Sequence, residues 1–202
     1  MGGRAGVRER AEITSSGRFR CGWSGDDERM IRYHDEEWGV PVHDDRKWFE
    51  LMVLDAFQAG LSWRTVLHKR EAFRRVFHDF VPERVAAMDE AEVEAALRDR
   101  AIIRNRTKVR AAIRNAARFI EVREAEGSFD AYIWGFTGGE TIRNGWESSA
   151  LIPARTNLSD RLSLDLKSRG FSFAGSTICY AILQSGGIVN DHLAACFRFG
   201  EL

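Results

Sequence analysis

The segment RDRAIIRNRTKVRAAIRNA, residues 98–116, decides how the rest of the chain is interpreted. A stretch with helical spacing ends near Asp99, and a second one begins near Thr107. The turn between them is first apolar and then basic. Over residues 107–125 the apolar side chains recur on one helical face, and most of the arginines lie off it. The segment therefore predicts two helices joined by a short turn.

This turn resembles a helix–hairpin–helix element. Such hairpins present backbone N–H groups at a helix N-terminus to a DNA phosphate. Arg104, Arg106 and Lys108 would add positive charge at that point. An ordinary turn with a solvated basic rim explains the same residues equally well, and position 101 is alanine where these hairpins favour glycine. The segment alone leaves both interpretations open.

Helical periodicity continues on both sides of the hairpin. It predicts helices over residues 27–37 with Asp26 as the cap, 45–59 after Asp44, 63–77 with Ser62 as the cap, 176–185 and roughly 190–197. No strand, internal repeat or low-complexity block is recognisable. The sequence therefore predicts an all-α fold, with residues 1–18 as a flexible N-terminal tail and residues 19–202 as a single domain.

Composition limits the possible classes of protein without selecting one. The 202 residues are 44% hydrophobic, enough for a substantial core in one domain or in two lobes that share an interface. The formal net charge is zero, which neither favours nor excludes nucleic acid, because binding needs only a local basic patch. No apolar run approaches the roughly 20 residues of a membrane span, and the N-terminus lacks the apolar region of a signal peptide. Three cysteines make a poor disulfide framework, so we expect a reducing, cytosolic location.

Two Cys and two His side chains could form a metal site. His192 and Cys196 are four residues apart, which on a helix places them on one face. Cys21 and His34 would complete a tetrahedral set that leaves no open position, as in a structural zinc site. For the C-terminal pair alone, a core histidine above a buried thiol explains the spacing at least as well.

Polar residues interrupt an apolar helix in LDAFQAGLSW, residues 54–63. Asp55 and Gln58 lie about 60° apart on a helix and therefore share a face. A buried carboxylate without a partner is costly, so Asp55 should face water, pair with an arginine, or meet a polar ligand.

Six motifs together resemble the 3-methyladenine DNA glycosylase I family. They are RCGW (20–23), YHDEEWGVP (33–41), FQAGLSW (57–63), AIIRNRTKV (101–109), GFSFAGSTICYAILQSGGIVNDH (170–192) and Cys196. The resemblance covers the chain from about Arg20 to Cys196.

The resemblance implies an all-α helix–hairpin–helix glycosylase in which two helical lobes share a base-binding cleft. Such an enzyme hydrolyses the N-glycosidic bond of 3-methyladenine in alkylated duplex DNA and leaves an abasic site. It implies a bacterial cytosolic enzyme that acts as a monomer, without membrane association and without strand cleavage. It also implies a structural zinc ion on Cys21, His34, His192 and Cys196.

The resemblance further implies how the base is held. An aromatic pocket would consist of Trp23, Tyr33, Trp38 and Trp63, with Gln58 beside it, and Asp55 would hydrogen-bond the flipped base. This chain departs from the family pattern in three ways. Well-known members carry glutamate at position 55, a pocket tyrosine at position 30 and a polar side chain at position 57, where this chain has Asp55, Met30 and Phe57. Altered lesion specificity, for example toward 3-methylguanine, and a damaged-DNA binding module without catalysis are the alternatives. A zinc-dependent hydrolase is disfavoured by the closed ligand set.

Overall fold

The computed structural model describes residues 11–13 and 17–202. These residues are mostly helical, as predicted, and none of their helices is long and apolar enough to cross a membrane. The helices are α1 (Glu28–Glu36), α2 (Asp45–Gln58), α3 (Trp63–Leu67), α4 (Arg70–Val76), α5 (Pro82–Ala86), α6 (Glu90–Arg98), α7 (Arg106–Glu126), α8 (Phe129–Trp134), α9 (Asn157–Ser168), α10 (Ser176–Ser185) and α11 (Phe197–Glu201).

Four short strands correct the prediction that the chain contains none. Strands β1 (Ala11–Ile13) and β2 (Phe19–Cys21) pair antiparallel, with Ala11 opposite Cys21. Strands β3 (Ile142–Arg143) and β4 (Val189–Asn190) pair in parallel. Runs of two or three residues are too short to show the alternation of apolar and polar side chains that marks a strand in the sequence. Pairing with the partner strand stabilises them instead. Strand β1 lies within the segment predicted as a tail, of which residues 1–10 and 14–16 lie outside the described residues.

The predicted helix over residues 190–197 is wrong. Asn190 belongs to β4, and residues 191–196 form turns before α11 begins at Phe197. The predicted helix over residues 63–77 is divided into α3 and α4 by a turn at His68 and Lys69.

Side-chain caps explain where several helices begin. The Asp44 carboxylate accepts the Lys47 N–H, and the Ser62 hydroxyl accepts the Thr65 N–H, so both predicted caps are confirmed. Helix α1 is capped by Asp27, one residue after the cap that the sequence suggested.

Helix α2 runs through the core and carries the polar residues Asp55 and Gln58. Ten of its fourteen residues are buried, among them Trp48, Phe49 and Phe57. It packs against α7, α8 and α10. Gly186 follows α10, and a Cβ atom at that position would lie 2.1 Å from the Trp48 ring. This close approach lets the end of α10 lie directly beside α2, and the candidate site lies where these two helices meet.

Candidate active site and metal cluster

A cavity of about 330 Å³ opens beside α2 and contains every residue predicted to contact a base. The predicted residues that line it are Trp23, Tyr33, Trp38, Asp55, Gln58 and Trp63. They come from the turn after β2, from α1 and the residues just after it, from α2, and from the start of α3. The structure therefore brings together side chains that are up to 40 positions apart in the sequence.

Aromatic rings form one wall of this cavity. The Trp23 and Trp38 ring centroids are 5.0 Å apart at 77°, and those of Tyr33 and Trp63 are 5.0 Å apart at 45°. Met30 does not line the cavity but packs behind this wall, against the cluster that contains Tyr33 and Trp38. Packed against one another and against Met30, the rings form a rigid apolar surface suited to a planar, aromatic ligand.

Asp55 is the buried carboxylate of this cavity. It is 4% exposed, and the Ser185 hydroxyl donates to its Oδ2 atom over 3.2 Å. Burial raises the pKa of Asp55 to about 7, an effect that the hydrogen bond from Ser185 opposes without cancelling. No arginine or lysine of the described residues pairs with it. The explanation in which Asp55 pairs with an arginine is therefore wrong.

The end of α2 is held by Lys108, which lies in the first turn of α7. The Lys108 ammonium donates to the carbonyl oxygens of Phe57 over 2.8 Å and of Ala59 over 2.6 Å. Lys108 is buried, and burial lowers its pKa. This position does not fit the predicted phosphate contact. The ammonium instead satisfies carbonyls at a helix C-terminus, where a positive charge is favourable.

The predicted hairpin, residues 99–105, connects α6 to α7. Asn105 caps α7 by accepting the Lys108 N–H, and the Lys69 ammonium donates to the carbonyl oxygens of Arg100 and Ala101. Arg104 is exposed and has no ion pair with any described residue. Arg106 is exposed and paired with Glu94 at 2.6 Å and with Glu90 at 3.2 Å. Arg104 and Arg106 can therefore reach a partner outside the chain, whereas Lys108 cannot.

The four predicted metal ligands form one buried cluster. The ligand atoms of Cys21, His34, His192 and Cys196 all lie within 4.8 Å of one another. Their spacing predicts His192 and Cys196 on one face of a helix. In the structure they lie in the turn after β4, and this turn brings them together. The prediction of which residues meet was right, although its geometrical reason was wrong.

Neighbouring groups orient both imidazoles of this cluster. The Asp35 carboxylate accepts a hydrogen bond from His34 Nδ1 over 2.7 Å, and the Trp38 carbonyl accepts one from His192 Nε2 over 2.9 Å. The second nitrogen of each ring, Nε2 of His34 and Nδ1 of His192, is turned toward the Cys196 sulfur. Two imidazole nitrogens and two sulfurs at this spacing fit a tetrahedral metal ion.

Helix α10 contributes cavity residues that the sequence analysis missed. Ala181, Gln184 and Ser185 line the cavity opposite the aromatic wall. The signal for them is weak, since Gln184 and Ser185 appear only as two polar residues at the end of the apolar run STICYAILQS.

Comparison with known proteins identifies the family. The model of the family described as methyladenine glycosylase matches residues 23–199. This chain belongs to the methyladenine glycosylase family. It is 46% identical over 177 residues to "DNA-3-methyladenine glycosylase 1" of Escherichia coli strain K12, covering 88% of this chain and 95% of that protein. It is 42% identical over 177 residues to "DNA-3-methyladenine glycosylase" of Haemophilus influenzae, covering 88% of this chain and 96% of that protein.

Solved structures of the same family share its fold. A crystal structure of 3-methyladenine DNA glycosylase I superposes with a TM-score of 0.86 at 47% identity, covering 88% of this chain and 98% of the other. A tyrosine-to-phenylalanine variant of such an enzyme, solved in complex with 3-methyladenine, superposes with a TM-score of 0.85 at 31% identity, covering 88% and 96% of the two chains.

Proposed function

We infer that this protein excises 3-methyladenine from alkylated DNA by hydrolysing the N-glycosidic bond, which leaves an abasic site. Membership of the methyladenine glycosylase family supports the reaction. The observation that carries the assignment to this cavity is the pairing of an aromatic wall with one buried carboxylate that has no cationic partner among the described residues. A flat, positively charged base would match both features.

The aromatic wall would recognise the charge of the base as well as its shape. Methylation at N3 gives the purine a positive charge and weakens its glycosidic bond. A cation over a Trp or Tyr face gains about 0.5–2 kcal/mol that a neutral adenine does not gain in full. Trp23, Tyr33, Trp38 and Trp63 would therefore favour the lesion over undamaged bases once the nucleotide is flipped out, a step that costs a few kcal/mol.

Asp55 would complete the discrimination. Near neutral pH its raised pKa leaves it partly protonated in the free protein. A bound cation would favour the ionised form, so the carboxylate would accept hydrogen bonds from the base edge and stabilise its positive charge. Gln58, one helical turn away, would add a polar contact. Because the leaving base is already activated, this arrangement needs no strong general acid.

Backbone contacts would come from the hairpin, which we propose to be a helix–hairpin–helix element. The first N–H groups of α7 point out of the helix end, and Arg104 has no competing ion pair in the described part of the chain. Arg106 would exchange its surface pairs with Glu90 and Glu94 for a phosphate, at small cost because such pairs are weak.

We propose that Lys108 contacts neither phosphate nor sugar. Its ammonium is occupied by two carbonyl oxygens and is not free to attack C1′. The protein would therefore act as a monofunctional glycosylase, without a Schiff base and without strand cleavage.

We propose that Cys21, His34, His192 and Cys196 hold a structural zinc ion. The fit rests on two sulfurs and two correctly oriented imidazole nitrogens in a buried cluster. Bound zinc would cross-link the residues after β2 to the turn after β4 and support Trp38, whose ring centroid lies 4.6 Å from that of His192. Metal analysis should find one zinc per chain, and its removal by a chelator should lower the melting temperature.

We propose that the enzyme acts as a monomer on duplex DNA containing alkylated bases. The reduced thiols of the cluster suit a cytosolic location.

Base release tests the proposed function. The zinc-loaded protein is incubated with methylated duplex DNA, and the released bases are identified by mass. We expect 3-methyladenine and an intact strand at each abasic site. Release of a different alkylated base would reassign the specificity, and binding without release would indicate a damaged-DNA binding module.

A further inference from the structure

The side-chain amide of Gln184 has a defined orientation. Its Nε2 atom donates to Asp191 Oδ2 over 2.7 Å. Because a carboxylate only accepts hydrogen bonds, the nitrogen must face Asp191 and the carbonyl oxygen Oε1 must face away from it. Oε1 has no hydrogen-bond partner among the described residues, and it is not sealed from solvent. Since Gln184 lines the cavity, Oε1 is an acceptor that the cavity leaves available.

Asp191 keeps this amide from turning over. Its carboxylate also accepts from Asn144 Nδ2 over 2.7 Å, from Trp146 Nε1 over 2.7 Å, and from the Tyr180 hydroxyl. A flipped Gln184 would place its carbonyl oxygen against a buried carboxylate, which has no proton to offer. The cavity can therefore present oxygen at this point but not N–H.

The position of the residue is fixed as well as its orientation. The Gln184 carbonyl on the main chain accepts the Gly39 N–H over 3.1 Å, which ties the end of α10 to the segment after α1. The next residue, Ser185, donates to Asp55. Two acceptors, Asp55 and Gln184 Oε1, are thus held by neighbouring positions of one helix end, on the same cavity.

We propose that Gln184 is a specificity-determining residue that selects purines with an exocyclic amine at C6. The proposal rests on the proposed function and adds a contact to it. The amine of 3-methyladenine carries two N–H groups, and Asp55 and Gln184 Oε1 can each accept one. Because aspartate is one methylene shorter than glutamate, a second acceptor on α10 strengthens recognition of this group in a chain that has Asp55.

The same geometry rejects a guanine-type base. 3-Methylguanine carries an oxygen at C6, which would face the carbonyl oxygen of Gln184 with no proton between them. The Gln184 acceptor would lose its hydrogen bond to water on binding and gain none in return. The fixed oxygen of Gln184 therefore discriminates between the two bases mainly by disfavouring the one that has an oxygen at C6.

The test compares the two lesions in the parent protein and in the Gln184→Met variant, which keeps the length of the side chain but lacks the acceptor. Single-turnover release of 3-methyladenine and of 3-methylguanine is measured from defined duplexes. We expect the variant to release 3-methyladenine about tenfold more slowly and 3-methylguanine at an unchanged or higher rate. An equal loss for both bases, or no loss for either, would overturn the proposal.

Two further measurements separate this proposal from folding and from the proposed function. Quenching of tryptophan fluorescence measures binding without turnover. With free 3-methyladenine, which has an amine at C6, and 3-methylhypoxanthine, which has an oxygen there, Gln184→Met should show a smaller preference for the amine than the parent. In Asp191→Asn, where the new amide can donate, Gln184 can turn over, and the preference for the amine should also fall. Failure of the parent to release 3-methyladenine would overturn both the proposed function and this inference, whereas equal affinities of the parent for both free bases would overturn this inference alone.

Discussion

Asp55 and Asp191 are both buried carboxylates, but the protein treats them in opposite ways. Asp55 is 4% exposed and accepts one hydrogen bond from the described residues, from Ser185. Asp191 is 1% exposed and accepts four, from Asn144, Trp146, Tyr180 and Gln184. A carboxylate that folding has fully satisfied serves the structure. A carboxylate that folding leaves almost unsatisfied, at the wall of a cavity, is available to a ligand.

The largest expected effect is on folding, in Asp191→Ala. Loss of this carboxylate leaves the buried Tyr180 hydroxyl and the partly buried Trp146 N–H without an acceptor, so we expect the free energy of unfolding to fall by about 3–5 kcal/mol. Chemical denaturation measures it. The matched control is Asp55→Ala, which removes a carboxylate with a single hydrogen bond. A similar loss of unfolding free energy in both variants would contradict the view that Asp191 stabilises the fold and Asp55 does not.

The next effect is on activity, in Asp55→Asn. The amide cannot stabilise a cationic base by charge, so we expect release of 3-methyladenine to slow about 100-fold. The free energy of unfolding should stay the same or rise, since an uncharged amide is easier to bury than an ionised carboxylate. Single-turnover kinetics and denaturation on the same preparation test both parts. A variant as fast as the parent would show that Asp55 has no role in the reaction.

A smaller effect distinguishes the roles of two basic residues near the hairpin. Lys108→Met removes the group that holds the end of α2, so we expect slower base release, by about tenfold, with an unchanged salt dependence of DNA binding. Arg104→Ala should instead weaken binding and reduce the slope of log affinity against log salt by about 1. A reduced slope in Lys108→Met would restore Lys108 as a phosphate contact.

The last prediction concerns the pH dependence of stability and activity. Burial raises the pKa of Asp55 from an ordinary value of 3.8 to about 7. Its contribution to the free energy of unfolding is therefore fully present below about pH 4, declines as the pH rises toward 7, and is absent above that. Activity should change in the opposite direction, with kcat/KM rising up to pH 7 as the carboxylate ionises. Subtracting the pH profiles of Asp55→Asn from those of the parent isolates the part of each trend that is due to Asp55. Identical profiles in the two proteins would contradict the assignment of these trends to Asp55.

Much of the fold could be predicted from local signals. Asp44 and Ser62 cap the helices that the sequence assigned to them, because a cap depends on residues only two or three positions away. The pairing of β3 with β4 and the turn that carries His192 and Cys196 could not be predicted, because they form through contacts with segments far away in the chain. Strands β1 and β2 are near neighbours in the chain, but three residues each are too few to show the alternation of a strand.

In the candidate site, too, some features could be predicted from the sequence and others depend on contacts between distant segments. The family resemblance predicts Asp55, Gln58 and the aromatic side chains in one pocket, and the structure brings them together there. The basic residues beside Lys108 predict a phosphate contact, whereas the structure places its ammonium on carbonyl oxygens about 50 positions earlier. Gln184 was missed because its significance depends on Asp191, a buried partner that only the fold reveals.

The most direct test of why Asp55 is left unsatisfied is its own pKa, measured by carboxyl carbon NMR in the free protein and with 3,9-dimethyladeninium bound. This ligand keeps its positive charge because a methyl group replaces the sugar at N9. We predict a pKa near 7 in the free protein and a fall of at least about one unit when the cation binds. An unchanged pKa in the complex, or an ordinary value in the free protein, would contradict it.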